Sequence, residues 1–216
     1  VASAVPPSAV QAKSTASLAT ADAMGRRVDG STAIGTSAIY AGSLAVPEWN
    51  STVDHPAVSS AVSVTFTSPG GLPAGGLMHI ALPEGWSMHA RPSISFASPS
   101  KSIISAASWN SAAKVLIVRL VDDSIDRGAA VHFVVYGVTS PSSVRPEHIA
   151  NITTKSKTGV LVDGPSHMQV NALSPGLISS AVWNSAIDTP GVTSTSTVTF
   201  TVSGHLYAGS MIAVTL

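Results

Sequence analysis

The groups able to do chemistry in this chain are seven histidines, a few clustered carboxylates and many serine hydroxyls. The histidines are His55, His79, His89, His132, His148, His167 and His205. An imidazole acts as a base or a metal ligand only where partner groups face it. No Gly-x-Ser-x-Gly elbow aims a serine at a base, and no glycine pattern suits a strand–helix phosphate cradle. Asp122, Asp123 and Asp126 could offer oxygens to calcium, but their spacing lacks the glycine and distal glutamate of an EF-hand loop. A solvated loop before Arg127-Gly128 is the simpler reading. With no cysteine, thiolate nucleophiles, thiolate zinc sites and disulfides are excluded. No catalytic residue and no resident metal are expected.

Carbohydrate chemistry has more candidates. Asn50-Ser51-Thr52 and Asn151-Ile152-Thr153 are N-glycosylation sequons. Covalent glycans at Asn50 and Asn151 are therefore expected, with O-linked sugars an option on Ser14–Ser17 and Thr193–Thr197. Trp86 and Trp109 could stack on sugars if exposed, yet each adjoins a strand-like run, which favours core packing. Trp49, Trp183, Val64, Phe66, Val198 and Phe200 are expected as core anchors.

The elements that must carry these residues follow from composition and self-similarity. Lys+Arg and Asp+Glu are 11 each, and charged residues are only 10% of 216. Such a surface has little field to attract nucleic acid or anionic lipid. The 35 serines and 18 threonines supply polarity in place of charge. A near-neutral surface of this kind is either covered by glycans or meant to pack on copies of itself. No apolar run approaches the roughly 20 residues of a membrane helix.

Shifting the chain by 134 positions aligns residues 1–82 with 135–216 without a gap, and 28 of the 82 pairs are identical. Val28-Asp29-Gly30 matches Val162-Asp163-Gly164, and Trp49-Asn50-Ser51 matches Trp183-Asn184-Ser185. Val64-Thr65-Phe66-Thr67 matches Val198-Thr199-Phe200-Thr201. Chance similarity of Ser/Ala/Val-rich segments does not hold register over such a length. One unit then runs over 42–175, with 1–41 the tail of a preceding unit and 176–216 the head of a following one. The copy also tests the histidines. His55, His79, His148, His167 and His205 face Thr189, Ala213, Ser14, Ala33 and Gly71. A site built into the unit would recur, so these histidines read as solvated or locally satisfied.

Period two dominates the unit. Val62, Val64 and Phe66 alternate with Ser63, Thr65 and Thr67, and Met78, Ile80 and Leu82 do the same. Further strands are expected at Ile94–Phe96, Ile103–Trp109, Lys114–Leu120, Ala130–Val138, Ile149–Thr154 and Met168–Ala172. Pro69-Gly70-Gly71, Pro73–Gly76, Asp122-Asp123 and Asp163-Gly164-Pro165 read as turns between them. About eight short strands in such a unit make an all-β fold of tandem immunoglobulin-like β-sandwich modules.

The run from Val64-Thr65-Phe66-Thr67 through Leu72–Gly76 to Ile80–Trp86, with Gly137–Ser143 and Val162-Asp163-Gly164, resembles tandem immunoglobulin-like repeats. Those repeats occur in large extracellular proteins of algae and other aquatic microbial eukaryotes. The resemblance covers essentially the whole 134-residue unit. It implies thin glycosylated filaments in which an extended segment of one subunit completes its neighbour's sandwich. The expected function is a secreted structural subunit of a fibre or cell-surface filament, partnered by copies of itself in a linear or helical array. Its joints would be Ala38–Val46 and Ala172–Val182. A carbohydrate-binding or adhesive surface module using Trp86 or Trp109 is the alternative. Neither reading involves catalysis.

Overall fold

Hydroxyl residues alternating with Val, Ile and Phe cannot satisfy a helix, because period two puts every apolar side chain on one face of a strand. A computed structural model describes residues 7–99 and 105–215. Its regular elements are all strands: β1 (Ser14–Ala21), β2 (Arg27–Thr36), β3 (Ala45–Ser51), β4 (Ser59–Thr67), β5 (Leu77–Ala81), β6 (Ser87–Met88) and β7 (Ile94–Ser98). They continue with β8 (Ser105–Asn110), β9 (Val115–Leu120), β10 (Ala130–Thr139), β11 (His148–Lys155), β12 (Leu161–Val170), β13 (Ser179–Ser185) and β14 (Ser196–Thr201).

Strands β3 to β12 form one sheet in the order β6-β10-β4-β3-β12-β11-β5-β9-β8, with β7 also pairing with β10. The sheet wraps into an immunoglobulin-like β-sandwich whose two halves meet at β3. That strand runs antiparallel to β4 and parallel to β12, where Glu48 faces Gln169 and Trp49 faces Val170. The core lies between the halves. Val62, Val64 and Phe66 of β4 are buried with Phe133 and Val135 of β10, Met78 and Ile80 of β5, and Leu116 and Val118 of β9. Each such side chain contributes about 1.5–3 kcal/mol by leaving water. Trp49 meets Trp86 edge to face at 5.8 Å, and Phe96 packs on Phe133 at 5.1 Å. Among the described residues every buried hydrophobic side chain lies between Leu44 and Leu173.

The remaining four strands form two separate two-stranded sheets, β1-β2 and β13-β14. Their pairing reproduces that of the sandwich at an offset of 134. The seven pairs from Ser14↔Thr36 to Ala21↔Arg27 match the seven from His148↔Val170 to Lys155↔Leu161. The five from Ser179↔Thr201 to Ser185↔Ser196 match the five from Ala45↔Thr67 to Ser51↔Val62. Irregularities coincide too. Val46 and Ser180 both have positive φ (47° and 53°), each inside the bulge of its hairpin.

Three expectations need correction. Asp163-Gly164-Pro165 is not a turn but lies within β12, where the register with β11 skips between Ile152 and Thr154. Gly164 at φ 88° and Pro165, which has no N–H to donate, are absorbed by that bulge, so turn-type residues stay inside a strand. Trp183 and Val198, expected as core anchors, are 47% and 37% exposed, whereas Trp49 and Val64 at the matching positions are 0% exposed. Identical residues differ because no second layer covers β13-β14 among the described residues. Phe200 is half-buried. Ile103, where one strand was expected to start, lies outside the described residues.

Val64→Asp is expected to abolish cooperative melting, since an unpaired carboxylate in the core costs several kcal/mol. Val198→Asp, at the same register in the uncovered hairpin, is expected to leave the melt of the sandwich unchanged. Thermal denaturation followed by circular dichroism checks both.

Candidate assembly interface

Two structural features recur or fail to recur between the sandwich and its flanking hairpins, and they define the candidate site. The first is a buried tie around Asp163. The tie begins with Gly42, whose carbonyl accepts a hydrogen bond from Gly164 N–H at 2.7 Å. Asp163 is buried, and its Oδ2 accepts from Ser68 Oγ (3.3 Å), Gly70 N–H (3.4 Å) and Thr154 Oγ1 (3.4 Å). Its own N–H donates to Thr154 Oγ1 at 3.1 Å. Among the described residues no cationic side chain pairs with it, and its polar partners are hydroxyls and backbone N–H groups. Space for the carboxylate depends on glycine. A Cβ on Gly42 would stand 2.5 Å from Asp163 Oδ1 and 2.9 Å from Pro69 Cγ.

The tie joins the start of the unit (Gly42, Ser68, Gly70) to its last strands (Thr154, Asp163). Sequence reasoning read Asp163-Gly164-Pro165 as a turn and missed this role. The usable signal was that Gly42 and Gly176 recur together with Asp29 and Asp163. In the β1-β2 hairpin, Asp29 keeps only the Thr20 hydroxyl of this set and is exposed.

The second feature is the uncovered apolar surface of the hairpins. Leu18, Val28 and Ile34 of β1-β2 are exposed, while Ile152, Val162 and Met168 at the matching positions are buried. Residues 211–215 match β5 but have no strand partner, and Met211, Ile212 and Val214 are exposed. Among the described residues neither hairpin pairs with a further strand on its outer edges. An isolated two-stranded hairpin is marginally stable in water, and an open edge invites another strand.

Each segment expected as an extended joint makes a bridge to the sandwich. In Ala38–Val46, Ile39 bridges Gln11 and Gly42 bridges Asp163. In Ala172–Val182, Leu173 bridges Arg145, and Ser174 N–H donates to Asp54 O at 2.9 Å. The two bridges Gln11↔Ile39 and Arg145↔Leu173 are again 134 apart.

The structure separates the other candidate residues. Asn151 is exposed on β11, with Oδ1 facing His167 Nδ1 at 3.2 Å, and Asn50 is half-buried on β3, donating Nδ2 to Glu48 Oε2 at 3.1 Å. Both sequons border the shallow groove lined by Glu48, Asn50, Ile149, His167 and Gln169. Trp86 and Trp109 are 2% and 8% exposed, so the sugar-stacking role considered for them is withdrawn: neither ring has an open face. Four histidines find separate local partners: His55 with Ser174 O, His89 with Arg91, His132 Nε2 with Ser63 Oγ at 2.8 Å, and His167 with Asn151. Among the described residues no group of three or more His, Cys, Asp or Glu converges, and Asp122, Asp123 and Asp126 form no such cluster. No described helix is long and apolar enough to cross a membrane.

No protein-family model matches the chain, and no curated protein does. Solved structures similar to it include the following two. One is the 35 kDa C-terminal fragment of the major pilin GBS80 of Streptococcus agalactiae, at 7% identity and TM-score 0.37, over 63% of this chain and 57% of that one. The other is a type II cohesin domain from the cellulosome of Acetivibrio cellulolyticus, at 7% identity and TM-score 0.31, over 61% of this chain and 94% of that one. The chain thus spans just over half the length of the pilin fragment.

Gly42→Ala is expected to lower stability by about 1–3 kcal/mol through overpacking against Asp163, read as a drop in denaturant midpoint. His79, half-buried on β5, has its pKa lowered first by desolvation and then by the charge of Lys155. A depressed imidazole binds fewer protons folded than unfolded, so stability falls as pH drops below about 6.5. His79→Gln is expected to flatten that part of a melting-temperature profile measured from pH 7 to pH 5.

Proposed function

We propose that this chain is a structural subunit of an extracellular fibre or cell-surface filament, built from tandem sandwich units that share strands with their neighbours. The observation that carries this reading is the matched pairing of the hairpins. They reproduce the first and last strand pairs of the sandwich yet leave uncovered the apolar faces that the sandwich buries. Surfaces of this kind, carried by hairpins on either side of the sandwich in the sequence, suit a head-to-tail contact. Repetition of such a contact gives an open filament unless the rotation happens to close a ring.

The surface chemistry supports the same reading. Backbone pairing and apolar contact need little charge, and charged residues are 10% of the chain. Glycans on Asn50 and Asn151 would sit on the outer side of β3 and β11, away from the core and from the edges that pair. The protein works by geometry and carries no catalytic group in this reading.

Electron microscopy of the native material is expected to show continuous filaments with a bead for each 134-residue unit. Dispersed single particles would overturn the proposal. Enzymatic removal of N-glycans is expected to lower the mass of the native protein and leave its filaments intact.

A further inference from the structure

We propose that the loop between β3 and β4, Asp54–Ala57, is a brace that holds one unit at a fixed angle to the segment that follows it. The inference rests on the tandem-unit reading and adds what fixes one unit against the next. The covalent link alone is slight. Unit 42–175 passes into 176–216 through Ser174-Pro175-Gly176, and Gly176 offers no side chain to hinder rotation. Adjoining bodies joined in this way move relative to one another unless a further contact holds them.

The loop is anchored first to its own unit. Ala57 N–H donates to Pro141 O at 2.9 Å, Ser140 N–H to Val58 O at 3.0 Å, and Ser140 Oγ to His55 O at 2.6 Å. At the start of the link, Ser174 N–H donates to Asp54 O at 2.9 Å, and His55 Nδ1 stands 3.3 Å from Ser174 O. Ala57 is buried and holds φ 55°. Positive φ at a residue with a side chain is strained, and it persists where the surroundings over-determine it.

The same loop meets the following segment. His205 N–H donates to Ala57 O at 3.1 Å. Gly204 lies so close that a Cβ on it would collide with Pro56 O, and a Cβ on Gly176 would stand 3.7 Å from His55 Cγ. Two consecutive carbonyls, of Pro56 and Ala57, thus face the Gly204-His205 turn. Rotation about the link has to break the His205 bond or drive Gly204 into Pro56. The partner that fits this loop is a backbone turn with a glycine at its closest point and a free N–H beside it.

Both halves of the contact recur at the offset of 134. Asp54-His55-Pro56-Ala57 matches Asp188-Thr189-Pro190-Gly191, and Gly191 has φ 76°, in the left-handed region that Ala57 also occupies. Gly42 and Gly70 match Gly176 and Gly204. Loop and glycine turn are therefore parts of the unit, and the brace can repeat once per unit.

Amide exchange in the full chain, resolved by residue with nuclear magnetic resonance, reads the contact directly. His205 N–H is expected to exchange on the order of tenfold more slowly than an unstructured amide, the protection one hydrogen bond gives. Gly204→Val is expected to remove that protection by displacing the turn from Pro56. The backbone at Gly204 lies outside the positive-φ region, so space alone forbids the side chain. Ala57 N–H is expected to stay as protected as before, because Pro141 belongs to its own unit. The melt of the sandwich is expected to be unchanged, since Gly204 is not in the core. A His205 amide that exchanges freely in the unaltered chain, or protection that survives Gly204→Val, would each overturn the brace. Filaments whose beads meet at variable angles keep the fibre reading and reject the brace. A protected His205 in a chain that forms no filaments supports the brace and rejects the fibre.

Discussion

The sandwich closes because its first strand, β3, is also the neighbour of its last, β12. That parallel contact is only two residue pairs long, with Gly42↔Asp163 bridging alongside it. It nonetheless decides whether β11-β12 belongs to the same sheet as β4-β10, and so whether one core exists. A buried strand edge with unpaired N–H and C=O groups would cost more than most side-chain contacts return. Everything else in the fold presumes this junction: the burial of Trp49, the lid that β5 and β9 place over it, and the position of Asp163.

The bulge at Val46 and the Asp163 tie serve that junction from either side. Positive φ at a β-branched residue is strained, and it persists where surrounding pairing over-determines it. Here it separates the Ala45↔Thr67 pair from the run beginning at Glu48↔Thr65, turning β3 toward β12. Asp163 then links β12 to the Ser68–Gly70 turn. The carboxylate's long hydrogen bonds to two hydroxyls and an N–H are individually modest. Their value lies in leaving no better arrangement for a buried charge, which makes one register of β12 the favoured one. Ser180 repeats the strained bulge on β13, where no strand lies on the outer edge among the described residues.

Much of this was legible in the residues, for reasons that differ from case to case. Val62, Val64 and Phe66 announce a half-buried strand because period two leaves them a single face. The strand pairings that coincide at an offset of 134 have a counterpart in Trp-Asn-Ser and Val-Thr-Phe-Thr, which hold register without a gap. Trp86 and Trp109 were harder, since residue type gives size but not exposure. Asp163-Gly164-Pro165 misled because the residues that make a turn also make a bulge, and only the partner strand distinguishes the two. Trp183 shows the deeper limit. Its local sequence is that of Trp49, its pairing with Val198 is that of Trp49 with Val64, and its burial is opposite. Burial belongs to what covers a strand, and a strand's own residues do not encode the presence of a cover.

That limit also explains why a nearly uncharged surface is consistent with the proposed assembly. A protein that must stay apart from its copies uses charge, both as net repulsion and as gatekeepers on strand edges. The hairpin strands β1, β13 and β14 carry no charged residue, and β2 carries only Arg27 and Asp29, both near its start. Hydroxyls keep such edges wet without forbidding another strand, because a serine or threonine loses little when its water is replaced by a backbone partner. The rows of unpaired N–H and C=O groups gain a partner in the same step. Edges poor in charge and free of proline favour pairing over separation.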